Sequence, residues 1–543
     1  MRFLPFDSVL ARGDIAARAA LLYARLEGTM YRPETIFTVE TAGWPGDWEG
    51  RTILALTMLA QTTGKEPAYL DEIVERLGEH CNEKGYMRQI LPEGDVDEQQ
   101  LSGHGWLLRG LCEYYLYRQE DAERSRIVLK RITEIVENLF LPTAGRYAEY
   151  PVLPEERVQG GEESGHIGKK VGHWYISSDT GCAYIPLDGL SQAYVLLDNY
   201  SMDRELVHRL KALLDEMVAQ FYQIPFLEIC VQTHATLTAC RGILRLYEKD
   251  GDPEKLAFVE KIFKLYREEG MTANYANYNW FGRPEWTEPC AIIDSFMVAV
   301  QLYVHTGKQE YAEISRKILY NGLLASQRAN GGFGTDTCAG AADIPDSDLL
   351  GCSCYEAYWC CSMRGGEGLA SVSRYSVLEM PLTDGEYPNS VMILYPMDGI
   401  YTAHGVKFLI RTNGPAADRV TVRILNNPGN KPLTFWFPEM QYTETDKHMF
   451  CICGGEVVFD WIPVLHTEKA PGNHNTEKTI LYAGYRMLGQ VYTGERKPMP
   501  QPELLNRQNT GWSTPDGDVL VPLTDRYLQT ESEIQNQKIR ILW

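Results

Sequence analysis

Basic charge is scarce in this chain of 543 residues: 52 Lys and Arg stand against 73 Asp and Glu, for a net charge of −21. That balance excludes nucleic acid and anionic membrane surfaces as expected partners, since both repel an acidic protein. Long apolar runs are lacking too, and none reaches the roughly 20 residues of a membrane-spanning helix. The opening MRFLPFDSVLARGDIAARAA carries early charges and no apolar stretch, so it does not read as a secretion signal. A regular disulfide framework is also missing, because the 13 cysteines are odd in number, scattered and partly clustered. A reducing cytoplasm is the compartment these absences lead one to expect.

What is present is the composition of an ordinary globular protein, 44% hydrophobic and 23% charged, with length for more than one domain. Two adjacent cysteines, Cys360 and Cys361 in YEAYWCCSMRGGEG, stand out, together with Glu288 and Cys290 in RPEWTEPCA. A disulfide between neighbouring cysteines strains the peptide that joins them, so thiolate ligation of a metal is the easier reading. Three thiols and one carboxylate suffice for a tetrahedral zinc site, and a thiolate facing a cavity is also a nucleophile. Cys338, Cys352 and Cys354 lie close by in sequence and leave the ligand count open. Cys112, Cys182, Cys230 and Cys240 read as buried free thiols.

A degenerate repeat of helical hairpins fills the first two thirds of the chain. Its units include GRTILALTMLAQTTGKEPAYLDEIVERL, GHGWLLRGLCEYYLYRQEDAERSRIVLKRITEIV and HATLTACRGILRLYEKDGDPEKLAFVEKIFKLY. An apolar first helix and a more charged second helix in each unit predict an (α/α)6 barrel over residues 1–376, with an open solenoid as the alternative. The sixth unit either begins with DIAARAALLYARLEG or finishes with GEGLASVSRY. From Val377 to residue 543, alternating segments such as VKFLIRT and RVTVRIL predict a β-sandwich of about eight strands. The tail after Pro498 is expected to wrap around it rather than form its own unit.

The loops entering the inner helices are rich in Gly, His, Trp and Asp, as at a cavity mouth. Asp47, Trp48 and Glu49, His104, His173, Asp188 and His234 sit in or beside such loops. Carboxylates gripping hydroxyl pairs and stacking aromatics would make a carbohydrate pocket, with Asp47, Trp48, His104, Asp188 and His234 as its candidate residues. The alternative for Asp47 and Asp188 is helix capping, and for each histidine a satisfied structural role.

TEPCAIIDSFMVAVQLYVHTGKQEYAEISRKILYNGLL and YWCCSMRGGEGLAS resemble the Glu-x-Cys-Ala helix and the Cys-Cys segment of the β-L-arabinofuranosidases, glycoside hydrolase family 127 and its relative family 146. GHGWLLRGL is similar to the family's Gly-His helix entry. The resemblance implies that Glu288, Cys290, Cys360 and Cys361 hold Zn2+ and that Cys360 attacks the anomeric carbon in a retaining mechanism. The expected function is removal of a terminal L-arabinofuranose or related sugar from plant-derived oligosaccharides. The chain departs from the family upstream of Glu288, where GMTANYANYNWFGRP has no carboxylate for an acid/base. Glu285 is the nearest candidate, with Glu356 and Asp336 near the thiols. Ser362-Met363-Arg364 replaces the family's Pro-Pro-Asn, and Asp188 replaces a histidine. Two alternatives remain open: a zinc-dependent thiol-activating cyclase, and a non-catalytic barrel with structural zinc that binds carbohydrate or protein. A homodimer is compatible with either.

Overall fold

The computed structural model of the chain describes residues 1–38, 43–157, 165, 167–201, 203–341, 344, 346–381, 387, 389–413, 419–437, 449–460, 463–472, 477–508 and 511–543. The fold is mixed α and β.

Six helices form a closed ring. They are Asp47–Thr63, Glu98–Tyr117, Pro186–Tyr200, Thr233–Asp250, Pro289–Thr306 and Cys361–Tyr375, called here the first to sixth ring helices. Each packs on the next, and the sixth closes onto the first. A second helix follows each of the first five and covers it from outside: Leu70–Arg76, Ala122–Ile135, Arg204–Phe221, Pro253–Glu269 and Gln309–Lys317. The sixth is covered by Gly13–Leu26 from the chain start. Both alternatives for the last repeat are therefore used, one as the inner helix and one as the outer.

Ring helices are buried on nearly every side, which is why several show little amphipathic pattern. The fifth is long and apolar enough to span a bilayer by composition, yet 89% of it is buried inside the fold. Gly64, Gly251 and Gly307 end the first, fourth and fifth in left-handed backbone (φ near 70°), as helix-stopping glycines do. Glycine also sets the spacing within the ring. A Cβ on Gly189 would stand 2.1 Å from the carbonyl oxygen of Gly105, and one on Gly50 would stand 2.3 Å from the amide nitrogen of Leu107.

Two five-stranded sheets follow. One runs Arg2–Phe3, Val377–Glu379, Ser390–Ile393, Leu433–Trp436, Met449–Ile452, and the other Glu456–Asp460, Arg419–Asn426, Val406–Thr412, Gly399–Ala403, Val9–Ala11. They meet face to face through Phe408 against Phe435 (5.0 Å between ring centroids) and Phe450 against Phe459 (5.9 Å). Alternation explains the packing, since Val406, Phe408 and Ile410 turn inward while Lys407 and Arg411 face out. The first eleven residues supply an edge strand to each sheet, so they leave the helical unit assigned to them by sequence.

The tail differs from its expected wrapping. Strands between Leu465 and Ile541, joined by Leu349–Leu350, build a third sheet around Leu481, Leu488, Trp512 and Leu520. Strands of three residues, such as Asn506–Gln508 and Gly511–Ser513, are too short to show alternation. This sheet is bolted to the ring side by Asn321, whose Nδ2 donates to the Tyr485 carbonyl (2.8 Å) and whose Oδ1 accepts from Met487 N (2.7 Å).

The glycine contacts carry a direct test. Gly189→Ala should destabilise the protein by about 1–3 kcal/mol, as overpacked cores do, and lower the thermal midpoint. An unchanged midpoint would show that the helices are not locked at this approach.

Candidate metal centre and active site

The starts of the fifth and sixth ring helices lie side by side at one end of the ring. Glu288 caps the fifth in extended backbone, Pro289 opens it, and Cys290 follows. Cys360 caps the sixth and Cys361 is its first residue. One ligand atom from each of Glu288, Cys290, Cys360 and Cys361 lies within 4.8 Å of all the others. The Cys290 and Cys361 sulfurs are 3.6 Å apart and those of Cys360 and Cys361 3.3 Å, far longer than a disulfide of about 2.05 Å. Thiolates each about 2.3 Å from a shared tetrahedral ion would stand roughly 3.8 Å apart, so the donors are spaced to hold one. Among the described residues these four form the one cluster suited to a metal ion, and Cys338, Cys352 and Cys354 stay outside it.

Exposure separates the donors. Cys290 (0%) and Cys361 (1%) are sealed and Glu288 is 9% exposed, whereas Cys360 is partly open. Burial, reinforced by Cys290, pushes the Glu288 carboxyl well above its usual range, and burial also raises Cys290 and Cys361. Hydrogen bonds from Cys290 and Cys361 draw the Cys360 thiol down to about 6. Four potential anions crowded in one pocket disfavour one another's charged forms, and a divalent cation relieves that.

Arg51 is the cation the protein itself supplies. Its Nε donates to Asp47 Oδ1 (2.9 Å), its Nη1 reaches the Cys290 sulfur (3.5 Å), and its guanidinium lies 4.3 Å from the Trp106 ring. The His234 ring stacks on Trp106 at 5.7 Å. His234 Nδ1 lies 2.9 Å from Asp294 Oδ2, while buried Nε2 has no hydrogen-bond partner among the described residues. On the other side, Gln232 Nε2 is shared between Asp179 Oδ1 (3.3 Å) and Glu288 Oε2 (3.5 Å). Asn277 fixes the cap by accepting from Glu288 N (2.7 Å).

Below this layer the ring is floored by buried charges from five of its helices. Arg109, Arg241, Arg245 and Arg364 interlock with Glu113, Asp188, Asp294 and Glu367. The cations and anions balance, as low-dielectric surroundings demand.

The structure sorts the expected pocket residues. Asp47 and His234 reach the site. Trp48 does not; it is a buried strut between Tyr31 (5.9 Å) and Tyr358 (6.1 Å). Asp188 is committed to the floor, where Arg245 Nη1 lies 2.7 Å from its Oδ1 and Arg109 and Arg241 each lie 3.4 Å from its Oδ2. His104 is also corrected: its Nε2 accepts from Met87 N (3.0 Å) and its Nδ1 donates to the Gln100 carbonyl (2.8 Å). Desolvation holds that ring neutral, at about 4. Glu285 is paired with Arg283 on a partly exposed loop. Glu356 is held by Arg25 and Ser362, and Asp336 by Arg328 and Arg526. His173 lies on the surface beside Asp95, and burial lifts Glu49 to about 7. Arg51, Trp106, Asp179, Gln232, Asp294 and Arg364 were not foreseen. Two of them had a legible signal: Arg51 and Asp294 stand four residues, one helical turn, beyond Asp47 and Cys290.

A helical ring with a buried Glu and Cys cluster at its mouth defines a class before any comparison is made. Residues 211–374 match the family model described as "Beta-L-arabinofuranosidase, GH127 catalytic domain". A solved GH127 β-arabinofuranosidase superposes with a TM-score of 0.65 at 14% identity, covering 100% of this chain and 97% of the other. A GH127 β-L-arabinofuranosidase from Geobacillus stearothermophilus gives 0.61 at 13% identity, covering 98% and 99%. A third structure, titled a glycoside hydrolase, gives 0.64 at 12%, covering 99% and 96%. No curated protein matches in sequence. The chain is a glycoside hydrolase. It is similar to the GH127 β-L-arabinofuranosidases, over its matched segment in sequence and over nearly its whole length in fold.

Two outcomes are expected of the cluster. Purified protein should carry roughly one divalent metal per chain, and Cys361→Ala should lose it; elemental analysis reads both, and a variant that keeps its metal would break the assignment. In the metal-free protein, iodoacetamide labelling of Cys360 should rise as pH rises through about 6, ahead of Cys290 and Cys361, whose thiols are raised. Peptide mass mapping showing Cys290 labelled first would contradict this.

Proposed function

We propose that this protein is a retaining exo-glycosidase whose nucleophile is the Cys360 thiolate, and that it releases terminal L-arabinofuranose or a related sugar from plant-derived glycans. On this reading the helical ring is an (α/α)6 barrel joined to a β-sandwich, with the substrate entering at the thiol end. One observation carries the proposal: of three clustered thiols, Cys360 alone is open to an incoming substrate. A zinc ion held by Glu288, Cys290, Cys360 and Cys361 would keep the thiols deprotonated at neutral pH.

In the first step Cys360 Sγ attacks the anomeric carbon as the bond to the leaving oxygen breaks, and that oxygen takes a proton. In the second, water attacks the same carbon from the face just vacated, gives up a proton, and displaces sulfur. Two inversions give net retention. The proton donor is inferred from position beside the cluster. Asp47, Asp188, Asp294, Asp336, Glu285, Glu356 and Glu367 are each held by arginine. Asp179 lies beside the cluster, where its Oδ1 accepts from the Gln232 amide that also reaches Glu288. It supplies the proton to the leaving oxygen and takes one back from water. His234 and Arg51 line the buried side, where sugar hydroxyls would find a ring nitrogen and a guanidinium. Four protein donors fill a tetrahedral ion, which favours this reading over a cyclase that needs an open position for a substrate thiol.

Cys360→Ser should lower turnover of p-nitrophenyl β-L-arabinofuranoside by roughly a thousandfold or more without unfolding the protein. Near-normal activity in that variant would remove the thiolate mechanism. Asp179→Asn should slow glycosides with poor leaving groups by about a hundredfold or more while sparing bond cleavage in dinitrophenyl glycosides. Equal losses across leaving groups would place the proton donor elsewhere.

A further inference from the structure

Beside Cys360 stands an aromatic surface that the ligand cluster does not use. Trp359 is 45% exposed and Tyr358 38% exposed, immediately before the partly open thiol. Their rings meet edge to face at 4.9 Å. The pair is braced from beneath. Tyr358 packs against Trp48 (6.1 Å), Trp48 against Tyr31 (5.9 Å), and the Tyr31 hydroxyl donates to the Tyr358 carbonyl (2.7 Å). The turn is closed by hydrogen bonds from Cys360 N and Ser362 N to the Ala357 carbonyl (3.3 and 3.2 Å). An aromatic pair left in water yet rigidly supported marks a contact surface rather than an unfinished core.

Position decides what it contacts. Trp359 immediately precedes Cys360 in the chain, and both side chains are partly open to solvent. The opposite side of the thiol is walled by sealed Cys290 and Cys361 and by buried Arg51, Trp106 and His234. On the proposed reading the released sugar lies toward that closed side, and its leaving group lies on the solvent side, along Trp359 and Tyr358. A saccharide unit presents a C–H face whose positive hydrogens match the negative face of an aromatic ring. Its hydroxyls remain free to meet water and the Tyr358 hydroxyl.

Resting on the glycosidase reading above, we propose that Trp359 and Tyr358 form the subsite for the leaving saccharide, so that the substrate is a sugar linked to another sugar rather than to a small alcohol. The test compares a β-L-arabinofuranosyl disaccharide with methyl β-L-arabinofuranoside. Trp359→Ala should lower kcat/KM for the disaccharide about tenfold and leave the methyl glycoside within about twofold. Trp359→Tyr should restore most of the disaccharide rate, which a loss of fold would not permit. Equal losses on both substrates, or no loss on either, would overturn the subsite while leaving the glycosidase reading intact. A wild-type protein that turns over neither would overturn that reading and the subsite together.

Discussion

Everything at the mouth of the ring depends on holding three thiols and a carboxylate together in a largely buried pocket that is partly open at Cys360. Buried groups that share a sign raise one another's cost, so such a set assembles only if the backbone over-determines its position and a cation is close. The chain meets both conditions at the adjoining starts of two helices. Pro289 and the unusual backbone of Cys360 set the donors at the two helix starts, whose dipoles favour negative charge there. Arg51 supplies one cation against Cys290, pinned in turn by Asp47 and the face of Trp106. The remaining negative charge is what a divalent ion would take up.

The ring's closure makes this possible, and the charged floor maintains it. Glycine contacts bring neighbouring helices to van der Waals limits, so the six starts occupy fixed places around the axis. Arg109, Glu113, Asp188, Arg241, Arg245, Asp294, Arg364 and Glu367 then tie the second to sixth helices together below the thiols. Removing one partner from such a network leaves a charge stranded, at a cost of about 3–5 kcal/mol. Asp294 links floor and site: it bonds to Arg241 and Arg364 below and to His234 above, which leaves the far nitrogen of that ring facing the thiol layer.

The cluster was legible in sequence because ligand chemistry restricts both residue type and spacing. Glu288, Cys290, Cys360 and Cys361 stand as expected, in the open end of helices whose loops look like a cavity mouth. Sequence did not show direction within helices buried all round. His104 and Asp188 sit on ring helices, yet one turns outward to the backbone near Met87 and the other downward to Arg245. Apolar periodicity cannot separate these directions when every face is covered. Glu285 failed for another reason: three residues from Glu288 in extended backbone carries a side chain out to Arg283. Asp179 lies on one of the loops that read as a cavity mouth, but it reaches the site only through tertiary closure. The third sheet escaped notice because Asn506–Gln508 and Gly511–Ser513 are too short to alternate and Arg486–Val491 pairs with the distant Val519–Pro522 and Ile539–Ile541.

The central claim is that Cys360 itself bonds to the sugar. The most direct measurement is peptide mass mapping of the Asp179→Asn protein quenched during turnover of a dinitrophenyl β-L-arabinofuranoside, where slow hydrolysis should let the intermediate accumulate. A single sugar unit on the peptide bearing Cys360, attached at that sulfur, is the result expected here. A sugar on a carboxylate, or no adduct together with an inverted first product, would contradict the account.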